Sequence, residues 1–357
     1  MRILFTGAMS NMTDRNFNVG RSRLKVRTTT DGLIQALEAM GHEVDARPVI
    51  PGEDLGMYDQ AIIGMSQFFS NVQQHTAGVY WALSKFKNPV LTVNDWRVKE
   101  AMSMCDFKQS ENSQKLTYFN DFIRENNKLF SSVNKTEDYF SAVQKNLDTI
   151  LEAKAWFDTA SHLPLLFPAY PGWHPEKLDV KNPKVRWNPS EFMPQKDYTS
   201  FSLFGKEDVH IIAAASTPDW KWFKKLNPEW NSLESIKENS KFKIKAFGNW
   251  NKNSVEESAL TSIMAEAKTC IVPSYKQIDG VGMWRPRHVI CKNIETLVLC
   301  DASEGSFMGE GYGQHTAAEV EAMNDSQYTD LVKLQAESFK KTVESKEQVF
   351  EQLKALF

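Results

Sequence analysis

The chain has 357 residues, more than one hydrophobic core usually spans, so two α/β domains are expected. Apolar residues make up 41% and charged ones 24%, a globular balance, and no stretch approaches the roughly 20 apolar residues that span a bilayer, so no membrane partner is expected. The net charge of −3 excludes a uniformly basic coat but leaves room for a local basic groove.

Residues 1–7 read as a buried strand, 28–40 as a helix closed by Gly41, and 43–48 as a second strand. Met1 leads straight into the apolar run Ile3-Leu4-Phe5, without the pattern of a signal peptide, and a cytoplasmic location is expected. The connection over residues 8–27 is polar, basic and longer than such turns usually are, which marks it as functional. It carries Arg15, Arg21, Arg23, Lys25 and Arg27 with no acid between them. Gly7 stands alone; the G-x-G-x-x-G fingerprint is missing, so a dinucleotide site is not expected here.

A third strand is expected over residues 58–65, an amphipathic helix over 77–86, and a fourth strand over 89–93 that ends at Asn94 and Asp95. Residues 103–160 are polar and helical and read as an insertion. Residues 163–196 contain seven of the 14 prolines and read as a linker. A second alternation follows: strand 209–215, helix 228–238, strand 243–247, helix 255–268, strand 269–272, helix 287–293 and strand 296–301, then one or two amphipathic helices over 325–357. The expected fold is α/β, with two Rossmann-like domains facing across a cleft and a helical insertion in the first. Residues 1–195 form the N-terminal domain, 196–334 the C-terminal one, and 335–357 a helix packing back on the first. Ligands of such sheets bind at the carboxyl ends of the strands. Cys105, Cys270, Cys291 and Cys300 show no paired short spacing, so they are expected reduced and mostly buried, without a disulfide framework or zinc cluster.

The run YDQAIIGMSQFF, a helix, and then PVLTVNDWR resemble the N-terminal domain of the bacteriophage DNA β-glucosyltransferases, enzymes of GT-B type that glucosylate 5-hydroxymethylcytosine in duplex DNA. FKIKAFGNW, and the stretch from Arg287 through ETLVLCD, resemble that family's phenylalanine-glycine-asparagine turn and its donor-binding helix and strand. The likeness covers most of the chain, interrupted at 103–160. It implies a monomeric glycosyltransferase, acting in an infected bacterial host cell, that moves glucose or a pentose such as arabinose from a UDP-sugar donor to 5-hydroxymethylcytosine in double-stranded phage DNA. The alternatives are an enzyme of this fold with a small-molecule, lipid or protein acceptor, or a non-catalytic DNA-binding protein.

Asp95 takes the place of the family's catalytic aspartate. A carboxylate there would remove the acceptor hydroxyl's proton as its oxygen attacks the anomeric carbon, giving inversion; the alternative is that it caps a helix starting near Arg97. Arg287 matches the family's phosphate-binding arginine, with Arg285 beside it, and its helix start favours anions, although an arginine on a helix is often just a solvated face. Lys221 is the second donor candidate, for which Lys224 and Lys225 are substitutes. Ser216 and Thr217 offer hydroxyls, and Gly248 and Asn249 belong to the donor-binding turn. One departure stands out: the family's ribose-binding glutamate, three residues after its arginine, is Ile290 here. The ribose then falls to His288 or Glu295, or the donor is not UDP-glucose.

On the acceptor side, the basic residues from Arg15 to Arg27, together with Arg97, suit DNA phosphates. Phe68 and Phe69 suit the gap left by a flipped base, or ordinary core packing. Trp220, Trp222, Trp250 and Trp284 could stack on a base or sugar, with core packing the simpler role for each. The resemblance admits Mg2+ or Mn2+ at the diphosphate, but the sequence has no aspartate-x-aspartate ligand pair and no metal residues are assigned.

Overall fold

Parallel strands alternate with helices twice along the chain. The computed structural model describes residues 1–7, 29–47, 49–65, 76–93, 136–168, 180–187, 205–214, 217–253, 255, 257–273, 286–302, 305, 308–342 and 345–357. They divide into two units, the first holding the described residues up to 168, those of 180–187 and those of 345–357, the second holding 205–342.

Unit 1 contains β1 (Arg2–Gly7), α1 (Thr29–Ala39), β2 (Glu43–Ala46), β3 (Gln60–Met65), α2 (Thr76–Lys85), β4 (Val90–Val93), α3 (Thr136–Lys145), α4 (Leu147–Phe157), β5 (Leu165–Pro168) and β6 (Lys184–Trp187). The strands form one parallel sheet in the order β2-β1-β3-β4-β5-β6. The runs ILFTG, AIIGM and VLTV are buried throughout, as a sheet covered on both faces requires.

Two stretches differ from the sequence reading. The proline-rich linker contains β5 and β6, because its described prolines, Pro164, Pro168 and Pro183, fall at strand ends, where no ladder N–H is needed. The carbonyl of Pro164 accepts from the Leu91 amide at 2.9 Å and that of Pro183 from the Leu165 amide at 2.8 Å. The end of the insertion is an integral part of the domain: α4 buries Ile150, Ala153 and Phe157, packs along α2 and leads directly into β5.

Unit 2 contains β7 (Glu207–Ala213), α5 (Trp220–Phe223), α6 (Leu233–Asn239), β8 (Lys243–Phe247), α7 (Glu257–Glu266), β9 (Ala267–Ile271), α8 (Pro286–Asn293), β10 (Leu297–Leu299), α9 (Ala317–Glu321) and α10 (Asp325–Thr342). Its parallel sheet runs β10-β9-β7-β8. One face packs Ile212, Ala246, Ile271, Leu297 and Leu299 against Trp222, Phe223, Trp230, Ile236, Val320 and Tyr328. His210 is wholly buried in β7, yet both its ring nitrogens are partnered: Nδ1 meets the Thr269 hydroxyl, and Nε2 lies 2.9 Å from Glu321 Oε1. Glu321 also accepts from Ser240 Oγ at 2.5 Å and the Lys241 amide at 3.1 Å, which ties α9 to the sheet.

The last helix, α11 (Lys346–Lys354), belongs to unit 1. Its Val349 and Leu353 complete a core with Ile3, Phe5, Leu33, Leu37, Ile62, Val90 and Leu166, each contributing roughly 1.5–3 kcal/mol of burial.

Candidate functional site

An open parallel sheet binds ligands where its strand order reverses, beyond the carboxyl ends of the two strands that diverge there. In unit 1 that place lies between β1 and β3. The strands meet in register at Gly7 and Gly64, and the next strand over places Thr92 beside Gly64. Gly7 adopts φ +109°, and a Cβ there would lie 2.3 Å from the Gly64 carbonyl oxygen, so both the backbone angle and the close approach demand glycine. The row therefore has no side chains until Thr92, which is 2% exposed and whose hydroxyl has no hydrogen-bond partner among the described residues. Strand β4 ends at Val93, two residues before Asp95.

In unit 2 the order reverses between β7 and β9. Helix α5 starts just beyond β7 with Asp219 as its cap: the carboxylate accepts from the Lys221 amide at 3.0 Å, leaving the Lys221 side chain exposed. Thr217 is exposed as well. Beyond β8, Gly248 at φ +135° passes so close to Ala214 that a Cβ would lie 1.8 Å from its carbonyl oxygen. The turn that follows, Asn249–Asn251, is braced by the Gly248 amide on the Asn253 carbonyl and by the Asn251 and Asn253 side chains on the Ala246 carbonyl. Trp250 is half-buried on this turn, edge-on to Trp220 at 5.7 Å. Trp222 is a core residue whose indole N–H donates to Asp301 Oδ2 at 2.7 Å, and Lys225 reaches the same carboxylate at 3.4 Å.

Helix α8 begins at Pro286, the first-turn position that proline suits, with Arg287 next and half-buried. An arginine in the first turn joins its own charge to the free N–H groups of the helix end, an arrangement suited to anionic oxygens. His288 is 0% exposed, with its ring 6.2 Å from that of Tyr312, and Ile290 is buried too. Glu295 lies beyond the opposite end of α8, so the structure brings neither polar candidate for the ribose to the exposed surface beside Arg287.

Of the binding and catalytic candidates singled out from the sequence, Thr217, Trp220, Lys221, Trp222, Lys224, Lys225, Gly248, Trp250, Arg287, His288, Ile290 and Glu295 are described in full and Asn249 by its backbone. Asp95, Ser216, Arg285, Arg15, Arg21, Arg23, Lys25, Arg27, Phe68, Phe69, Arg97 and Trp284 lie outside the described residues. Sequence reasoning gave no role to Thr92 or Asp301, although Thr92 lies within PVLTVNDWR and Asp301 ends ETLVLCD; the strand register is what places them at a carboxyl edge. Among the described residues no group of three or more His, Cys, Asp or Glu could hold a metal, and no helix is long and apolar enough to cross a membrane. A concavity of about 760 Å³ opens at the opposite, amino-terminal edge of the unit 1 sheet, between Glu53, Asp59, Trp81 and Lys85. The strand-order rule places the ligand site at the other edge, where the Gly7–Gly64 row lies.

No protein-family model matches the sequence, and no curated protein is significantly similar to it. Among solved structures, the chain is similar to T4 phage β-glucosyltransferase, in a study of its substrate binding and proposed catalytic mechanism, with 12% identity over 100% of this chain and 99% of that one, at a TM-score of 0.53. It is similar to a T4 phage mutant of that enzyme in complex with UDP-glucose, with 12% identity over 99% and 98% of the chains and a TM-score of 0.54. It also matches the DNA-modifying enzyme β-glucosyltransferase, solved with and without uridine diphosphoglucose, with 13% identity over 100% and 99% and a TM-score of 0.52. At such identities the likeness establishes the fold: a two-domain α/β architecture shared along the whole chain.

Proposed function

We propose that this protein is a glycosyltransferase that moves a sugar, glucose or a pentose such as arabinose, from a UDP-sugar to 5-hydroxymethylcytosine in duplex phage DNA. The observation that carries this reading is the fold likeness over the full length of both chains, to enzymes whose structures concern UDP-glucose and DNA modification. The two sheet edges supply compatible chemistry. In unit 2, Arg287 at the start of α8, with Arg285 and Lys221, holds the diphosphate and stabilises the negative charge that develops on it as the bond to the sugar breaks. The turn at Gly248 and Asn249 lines the donor.

Asp95, just past β4, accepts the proton of the acceptor hydroxyl. The freed oxygen attacks the anomeric carbon from the face opposite the diphosphate, the carbon–oxygen bond to the leaving group breaks, and the anomeric configuration inverts. The basic residues Arg15, Arg21, Arg23, Lys25 and Arg27, with Arg97, neutralise DNA phosphates, and Phe68 or Phe69 fills the gap left by the flipped base. Buried Ile290 cannot hydrogen-bond a ribose, which leaves room for a donor other than UDP-glucose.

The test is incubation with hydroxymethylcytosine duplex DNA and a panel of radiolabelled nucleotide sugars. Transfer of label to DNA from one UDP-sugar is the expected outcome; absence of transfer from every donor overturns the reading.

A further inference from the structure

Helix α8 ends in an arrangement that costs stability twice. Glu295, a non-glycine residue, is held at φ +54°, in the left-handed region, where its amide and that of Thr296 turn back onto the carbonyls of Lys292 and Cys291 at 3.4 and 2.9 Å. Beside it Lys206 is withdrawn from water, and its Nζ donates to the Ile294 carbonyl at 2.7 Å and to Thr296 Oγ1 at 2.8 Å. Thr296 passes the link on, donating to the Met264 carbonyl near the end of α7 at 2.8 Å. Strain of this kind persists where the surroundings over-determine a geometry, and it concentrates around functional sites. The helix so anchored has eight residues and presents Arg287 at its other end.

We infer that Lys206 is a positioning residue for anion binding: its ammonium, clamped on the Ile294 carbonyl just past the end of α8, sets the axial position and register of the helix and thereby the placement of Arg287. This rests on the reading of Arg287 as a diphosphate ligand. A cation at a helix C-terminus also complements the helix dipole. The clamp is titratable, because burial lowers the Lys206 pKa to about 8, with Cys291 and Glu295 pulling weakly the other way. The clamp is therefore charged below that value, and its grip weakens as pH rises through it. Other charged or titratable groups on the surrounding elements include Glu207 and Asp208, which pair with Lys245 and Lys268, together with Glu266, Cys270, Arg287, His288 and Lys292, and Tyr328 of α10.

The experiment measures UDP binding by calorimetry to the full-length wild type and to Lys206→Met, Lys206→Arg and Arg287→Ala, below and above pH 8. Wild type should lose UDP affinity as pH passes about 8. Lys206→Met should bind roughly tenfold more weakly below that pH and show no such step, and Lys206→Arg, charged throughout, should keep its affinity above it. A purely structural cap would shift the thermal midpoint without producing this pH signature. If wild type and Lys206→Met bind UDP alike on both sides of pH 8 while Arg287→Ala does not bind, the inference about Lys206 is overturned and the diphosphate reading stands. If wild type itself binds no UDP, the diphosphate reading fails and takes the inference with it.

Discussion

The two sheets reverse their strand order at equivalent places, β1 against β3 and β7 against β9, yet they furnish the adjoining edges differently. In unit 1 the edge is bare among the described residues: Gly7 and Gly64 lie side by side, and the first side chain along the row is the buried Thr92. In unit 2 the edge is supplied with donors, with Lys221 after a capped turn, the braced turn at Gly248 and Arg287 at a helix start. A backbone edge without side chains admits a bulky group close to the strands, whereas exposed donors suit an anion. The proposed function divides the labour between an acceptor side and a donor side, and each can be disturbed separately.

The largest effect is expected from Asp95→Asn. It should lower kcat by about 10²–10⁴-fold, in line with the loss of a general base, while leaving UDP affinity unchanged in calorimetry. An unchanged rate would remove Asp95 from the chemistry. Gly7→Ala should cost about 3 kcal/mol, because the new Cβ meets the Gly64 carbonyl and the backbone angle is unsuited to alanine. Thermal denaturation measures this, and a midpoint equal to wild type would show that the bare edge tolerates a side chain.

Arg287→Ala should weaken UDP binding by roughly 10–100-fold, the loss of charge-assisted hydrogen bonds worth about 1.5–3 kcal/mol, without changing the thermal midpoint of the free protein. Equal weakening by substitutions in the unit 1 edge would erase the proposed division. The smallest effect concerns Glu321, remote from either edge. Burial would raise its carboxyl pKa, but hydrogen bonds from His210, Ser240 and the Lys241 amide outweigh this and hold it below the ordinary 4.5. Because the folded pKa lies below the unfolded one, the stabilisation is complete above about 4.5 and is lost as pH falls through the folded value. The thermal midpoint of wild type should therefore fall more steeply on acidification than that of Glu321→Gln.

Much of the fold was legible before the structure. The apolar runs of β1, β3, β4, β7 and β8 each carry a strand signature, and the β-α alternation announces parallel sheets. The prolines of 163–196 misled for a physical reason: Pro164 and Pro183 mark strand ends, where a missing N–H costs nothing, and local composition cannot distinguish that from a linker. Of the candidate site, the sequence offered Arg287, Lys221 and Gly248 through motif order. It could not foresee that His288 points into a core beside Tyr312, since a histidine beside an arginine looks the same whether its helix face is buried or solvated.

What the sequence determined by itself is therefore local: strand and helix periods, the glycine turns, a helix starting at Arg287 and the likeness to the phage glucosyltransferases. What only the tertiary structure decided is non-local. The register that sets Gly7, Gly64 and Thr92 in one row and the hydrogen bonds of Lys206 to Ile294 and Thr296 join residues far apart in the chain. Such contacts arise from burying surfaces against one another, and no window of neighbouring residues encodes which surface is met.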